Sequence, residues 1–320
     1  SAIVRLYRRA FALCRTVAQL EQIHLNLEHR ITPLELTDLD RCHRQGHLLP
    51  PQAGPKFHTA ASAWLRRQTD ALHQSGKPAP EPYRARRILP AVTHFHGPGG
   101  RAEKTLLLCF TANGRRLMVP HAALLQHLDA RHYDVLVIAD PWRGSFRTGV
   151  PLLGRDVDAV VRWVADQRWL RDYPRLRSLG LSAGAYPAIL AGQALGAELT
   201  LSVSGRFPAE RHLLTILTML RKLRAAARQG TRAPVVLSAN EDSSRDRNFA
   251  RIVAWLVGGK RIGVHMAGGR IGHLMLEPLL THGHLGPFLD RCLLAPPDTY
   301  QHPARIAFSA PPADEATPQG

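Results

Sequence analysis

The sequence predicts an α/β fold: a mostly parallel, doubly wound sheet flanked by helices, with a helical N-terminal extension. Three observations lead there. Between about residues 83 and 294, apolar strand-like runs alternate with helical patterns. Such alternation demands right-handed crossovers between parallel strands. The run Thr105-Leu106-Leu107-Leu108-Cys109-Phe110 is almost unbroken in its apolar character, as expected of a central strand covered on both faces. The first 80 residues show helical spacing and no strand pattern. The expected organisation is an extension or cap at residues 1–82, a main domain at 83–294 and a Pro-rich tail at 295–320.

Taken in order, Leu6, Ala10, Leu13, Val17, Leu20, Leu27 and Ile31 recur at three- and four-residue intervals. This spacing predicts one long amphipathic helix that ends near Thr32-Pro33. Residues 33–80, broken by LLPPQAGP and SGKPAPEP, read as short helical pieces forming a cap or docking arm. Residues 88–95 read as an edge strand, because Pro90 lacks the N–H a central ladder needs. A Gly97-Pro98-Gly99-Gly100 turn leads to the 105–110 strand, and a helix follows from about Pro120.

The alternation then repeats. Strands are expected at 134–139, 176–181, 198–203, 234–237 and 261–266, with helices at 156–167, 185–195, 210–228 and 245–256. The helix from Arg211 to Arg228 carries more apolar surface than an exposed helix needs, reading as a sheet-packing helix or partly a lid. A further helix is expected to begin at His273. The tail is rich in Pro, Ala and charge, and its last ten residues are expected to be disordered.

Composition narrows the function classes. The chain of 320 residues has a formal net charge of +17, and five of its 42 basic residues are lysine, the rest arginine. The arginines are dispersed, with no basic run interleaved with aromatics and no finger spacing, so nucleic acid is not the expected partner. The field would favour anionic partners such as acidic glycans, nucleotide-bearing thioesters or phospholipid headgroups, although so dispersed an excess is not a binding patch and also reads as a solvated positive face; the expected substrate is a small molecule or an acyl carrier. The N-terminal arm offers a surface for a partner protein.

Cys14, Cys42, Cys109 and Cys292 lie far apart and predict no disulfide framework. The 17 histidines include no HExxH, and neither a metal nor a nucleotide cofactor is expected. No run approaches ~18 uninterrupted apolar residues, so no transmembrane segment is expected. The opening SAIVRLYRRAFALC does not read as a signal peptide, and a cytoplasmic location is expected.

The strand at 176–181 runs into Gly180-Leu181-Ser182-Ala183-Gly184 and then a helix. A serine on such a turn presents its hydroxyl above the sheet edge, and small neighbours let the backbones approach. Acyl transfer through serine needs a base, a carboxylate to orient it and oxyanion donors. His273, after a glycine-bearing loop with Gly268, Gly269 and Gly272, is the candidate base, ahead of His265, His282 and His284. The loop after the 234–237 strand offers Asp242 as first choice of acid, Asp246 as alternative and Glu241 as a third. The expected oxyanion donors are the amides of Ala183 and of Ala112 or Asn113.

The order Ser182, then Asp242 or Asp246, then His273 on alternating strands and helices resembles the α/β-hydrolase fold superfamily over roughly residues 85–293. That resemblance implies a Ser-acid-His triad, no cofactor and a nucleophile on the fifth strand. CFTANG departs from the His-Gly pair many members carry after the first central strand. The function so implied is hydrolysis of an ester or thioester through an acyl-enzyme. The alternatives are an acyltransferase using the same residues, or a non-catalytic module that binds an anionic glycan, lipid or protein.

Overall fold

A computed structural model describes residues 1–113, 115–142, 144–207, 212–229, 233–266, 271–296 and 305–309. The N-terminal extension is four helices: α1 (Ala2–Ala12), α2 (Val17–Glu28), α3 (Pro33–Arg44) and α4 (Pro55–His73). The single long helix expected up to Thr32 is thus two. Apolar periodicity runs across the break, but Thr16 and Gln19 form a capping box that restarts the helix, with the Gln19 amide donating to Thr16 Oγ1 at 3.3 Å. Leu13, counted in the apolar stripe, sits in the break and is 81% exposed.

A second capping box, Thr32 with Glu35, starts α3. The 19-residue α4 is longer than the short pieces expected of this region. Tyr7, Leu20, Ile31, Leu36, Trp64 and Leu65 form a separate hydrophobic core, joined to the main domain through Ala122. Inside it, His24 Nε2 lies 2.8 Å from Tyr7 Oη and its ring stacks on Trp64 at 4.3 Å between centroids.

The expected edge strand is a hairpin, β1 (Arg84–Leu89) and β2 (Val92–His96), with Pro90 in the turn where its missing N–H costs nothing. The main domain continues as β3 (Thr105–Phe110), α5 (His121–His127), β4 (Tyr133–Ile138), α6 (Val157–Ala165), β5 (Arg175–Leu181), α7 (Ala185–Leu195) and β6 (Leu199–Val203). It closes with α8 (Leu213–Gln229), β7 (Val235–Asn240), α9 (Ser244–Val257), β8 (Lys260–Met266), α10 (Leu276–Thr281), α11 (Leu285–Leu289) and β9 (Arg305–Phe308). The expected helix start at 210–211 and the disordered last ten residues lie outside the described residues. The helix expected from His273 begins three residues later, at Leu276, which leaves His273 on a loop.

The sheet order is β1-β2-β4-β3-β5-β6-β7-β8-β9. Among the described residues, the β1–β2 and β2–β4 strand pairs of this sheet are antiparallel and the others are parallel. β9 pairs in parallel with β8, so part of the segment read as tail extends the sheet. Two hydrophobic clusters cover the two faces. One holds Leu107, Cys109, Leu179 and Leu201 with α5, α10 and α11; the other holds Leu106, Leu108 and Phe110 with α6, α7 and α9. β3 contributes alternate side chains to both, which is why its sequence is apolar at nearly every position.

The inner stripe of α8, Met219 and Leu223, is buried against the domain, whereas Leu213 and Leu214 are 62% and 80% exposed. All four cysteines are free thiols. Among the described residues, no helix is long and apolar enough to cross a membrane.

Candidate active site

The carboxyl ends of the central parallel strands present the groups singled out by the sequence. β5 stops at Leu181, and Ser182 turns the chain into α7 with φ +52°, a left-handed conformation rarely adopted by side-chain-bearing residues. The flanking glycines make the turn possible. A Cβ on Gly180 would lie 2.4 Å from the Gly184 carbonyl oxygen and 2.5 Å from Ala188 Cβ, and one on Gly184 would lie 2.3 Å from the Phe110 carbonyl oxygen. Close approach therefore fixes the serine turn against both α7 and the end of β3.

Ser182 Oγ lies 2.7 Å from His273 Nε2, although the two are 91 residues apart in the chain. On the other side of the imidazole, Nδ1 lies 3.0 and 3.1 Å from the two carboxylate oxygens of Asp246. Ser182 and Asp246 are 5% and 2% exposed, while the His273 side chain keeps 22% of its surface open. This orientation makes Nδ1 the protonated nitrogen, donating to Asp246, and leaves the Nε2 lone pair to accept from the serine hydroxyl.

The acid in contact with His273 is thus Asp246 and not Asp242, the first choice from the sequence. β7 continues to Asn240, three residues beyond the expected strand, so Asp242 falls on the outer side of the turn, exposed. Its amide donates to Asn240 Oδ1 at 2.9 Å. Ser243 then caps α9 by accepting from the Asp246 amide. Asp246 therefore sits one turn into the helix, where its carboxylate turns inward. Glu241 is engaged elsewhere, 3.0 Å from Arg305 on β9.

Of the expected oxyanion donors, Ala112 is removed, because its N–H already donates to the Arg116 carbonyl at 2.9 Å and closes the loop after β3. Ala183 lies in the first helical turn, where an N–H has no intrahelical acceptor. Asn113 is exposed at the tip of the β3 loop. Of the other histidines, His265 lies within β8, and His284 Nε2 faces the Ser309 carbonyl at 2.8 Å. Gly268 and Gly269, expected to shape the His273 loop, lie outside the described residues.

Two participants were not foreseen. Asn240, 3% exposed, donates through Nδ2 to the Ile271 carbonyl at 2.9 Å while its Oδ1 takes the Asp242 amide. It thereby ties the loop before Asp246 to the loop before His273. Arg206, just after β6, donates through Nε to His273 Nε2 at 3.0 Å. Burial pulls this guanidinium below the usual arginine range; Asp246 opposes that shift and Arg245 adds to it.

A Cβ on the preceding Gly205 would lie 2.2 Å from the Phe249 ring, so the turn that delivers Arg206 is pinned. Nothing local in the sequence marks Arg206 among 37 arginines, whereas Asn240 was visible only as a polar residue after an apolar run. Among the described residues, no group of three His, Cys, Asp or Glu side chains is placed to hold a metal ion.

No family model matches the chain, and no curated protein matches it. Solved structures similar to it include the esterase Est22, 12% identical with a TM-score of 0.39 over 70% of this chain and 82% of the esterase. A dienelactone hydrolase from Anabaena variabilis is 13% identical, with a TM-score of 0.43 over 67% of this chain and 96% of that one. A thioesterase domain from the curacin biosynthetic pathway is 13% identical, with a TM-score of 0.39 over 62% and 99%. By its strand order, its serine-bearing turn after the fifth strand and the helices on both faces of the sheet, this chain has the α/β-hydrolase fold.

Proposed function

We propose that the chain is a serine hydrolase that cleaves an ester or thioester through an acyl-enzyme on Ser182. The observation that supports this most directly is the 2.7 Å contact between Ser182 Oγ and His273 Nε2 on a left-handed strand-to-helix turn. Attack of Oγ on the acyl carbon passes the hydroxyl proton to Nε2. The imidazolium so formed is stabilised by Asp246, which also keeps the ring in the productive tautomer. Negative charge on the carbonyl oxygen falls to the amides of Ala183 and Asn113. Collapse expels the alcohol or thiol, which takes the proton from Nε2, and a water then repeats the sequence to release the acid.

Arg206 gives this reading a substrate preference. Its Nε–H and the serine hydroxyl compete for one lone pair on Nε2. An anionic group on the substrate draws the guanidinium away, and the base is then free to accept the serine proton. The preferred substrates are accordingly negatively charged acyl compounds, with neutral esters turned over slowly.

Fluorophosphonate labelling of the native chain and of Ser182→Ala tests the reaction class. Labelling confined to the native chain is expected, and equal labelling of both would refute the assignment. p-Nitrophenyl esters and acyl-coenzyme A thioesters of graded length then separate hydrolysis from transfer to an added alcohol acceptor.

A further inference from the structure

At the carboxyl end of β4, on the same edge of the sheet as Ser182, lies a cavity of about 230 Å³ that the reaction above does not use. Pro90, Pro141 and Pro151 form apolar walls, and Arg30, Arg87 and Arg115 line it from three different segments. Arg30 lies between α2 and α3 of the extension, Arg87 belongs to β1, and Arg115 lies on the loop after β3.

These guanidiniums share one field. Burial together with Arg87 and Arg115 pulls Arg30 below the usual arginine range, with no acid opposing it. Among the described residues, no carboxylate pairs with any of the three; Arg87 reaches only the Pro90 carbonyl, at 3.5 Å. His29 lines the same cavity, and burial with Arg116, Arg115 and Arg30 lowers it to about 4, so at neutral pH it adds no charge but can donate or accept a hydrogen bond.

Beneath them is His121, 2% exposed and also lining the cavity. Its two ring nitrogens face the backbone of His29 and Arg115 without closing a hydrogen bond. A buried imidazole with both nitrogens unsatisfied is costly, and here it stands between the two segments that bring Arg30 and Arg115 together.

Three converging cations repel one another until an anion neutralises them. One carboxylate offers two oxygens and a single charge, too few for three guanidinium forks. A phosphate group offers three oxygens and up to two charges, the geometry arginine matches best. The proline walls leave apolar surface for an organic substituent. We propose that this cavity is a binding site for a phosphate-class oxyanion, either free phosphate or the phosphate ester of a small organic molecule. The site is built from residues remote in sequence from Ser182 and does not depend on the reaction assigned there.

Titration calorimetry of the full chain at low ionic strength with inorganic phosphate, coenzyme A and phosphate-free pantetheine tests the proposal. Saturable binding of phosphate or coenzyme A is expected, weakened about tenfold by Arg115→Gln and again by Arg30→Gln, since each removes a charge-assisted pair. Arg168→Gln, an equally exposed arginine before β5, is expected to bind as the native chain does. Coenzyme A binding much tighter than inorganic phosphate identifies an ester as the ligand, and equal affinities identify free phosphate.

Circular dichroism confirms that the variants are folded. Arg87→Gln provides an independent third variant if either of the others is not. Absence of saturable binding by both phosphate and coenzyme A, or equal weakening by Arg168→Gln, would overturn the site.

Discussion

Replacing Asp246 by Asn changes one atom and tests the proposed chemistry most sharply. The carboxylate is 2% exposed and accepts from His273 Nδ1 at 3.0 and 3.1 Å. An asparagine fits the same space, but its amide can present N–H to Nδ1, which then acts as acceptor and moves the ring proton to Nε2. That nitrogen no longer accepts from Ser182, and the charge that steadied the imidazolium is gone. For a buried carboxylate in this role the loss is about 10³–10⁴-fold in kcat, or ~4–5.5 kcal/mol.

Stability should change little, because the first-turn charge of α9 contributes only ~0.3–1 kcal/mol through the helix dipole. Asp242→Asn, at an exposed site, is expected to stay within about twofold of the native rate. Steady-state hydrolysis of a p-nitrophenyl ester, with thermal melts alongside, reads both variants. If Asp242→Asn is as damaging as Asp246→Asn, or if Asp246→Asn is fully active, Asp246 is not the carboxylate that orients His273.

Ser182→Gly removes a side chain held at φ +52°; it is expected to abolish fluorophosphonate labelling while raising stability by ~1 kcal/mol, seen as a melting temperature about 1–2 °C higher. Gly184→Ala drives a methyl to within 2.3 Å of the Phe110 carbonyl oxygen; activity should fall at least ~100-fold through a displaced serine, measured by labelling rate, and an unchanged rate would deny that the turn is sterically fixed. His24 is held down to about 4 by burial and by Arg67, so the unfolded chain takes up its proton first. The stability this neutral imidazole provides is complete above about pH 6.5 and is lost as pH falls towards 4, at up to ~1.4 kcal/mol per pH unit. Urea titrations at pH 7, 6 and 5 should show a slope at least that large, since burial also lowers His29, His94, His121 and His127, and His24→Gln should reduce it by one histidine's share.

The extent to which the site was legible in the chain differs from residue to residue. Gly180, Ser182 and Gly184 announce themselves because a tight strand-to-helix turn is a local event, decided by which side chains a few consecutive backbones tolerate. His273 was legible for a related reason: it follows a strand on a glycine-rich stretch, and the ends of parallel strands share one edge. The choice between Asp242 and Asp246 was not local. It turned on where β7 stops pairing with β8 and on the phase with which Ser243 starts α9.

The same holds for the remaining differences. Ala112 was excluded as a donor by a hydrogen bond closed four residues later, at Arg116. β9 exists because the outer edge of β8 was open to a four-residue partner too short to declare itself. Arg206 meets His273 across 67 residues, and three further arginines meet in a cavity no window of sequence spans. Periodicity and turn chemistry are short-range, so they dictate the alternation of elements and the presence of a serine turn. Which acid, which amide and which arginines surround that serine depends on register and helix phase, and those are settled only when distant segments pack against one another.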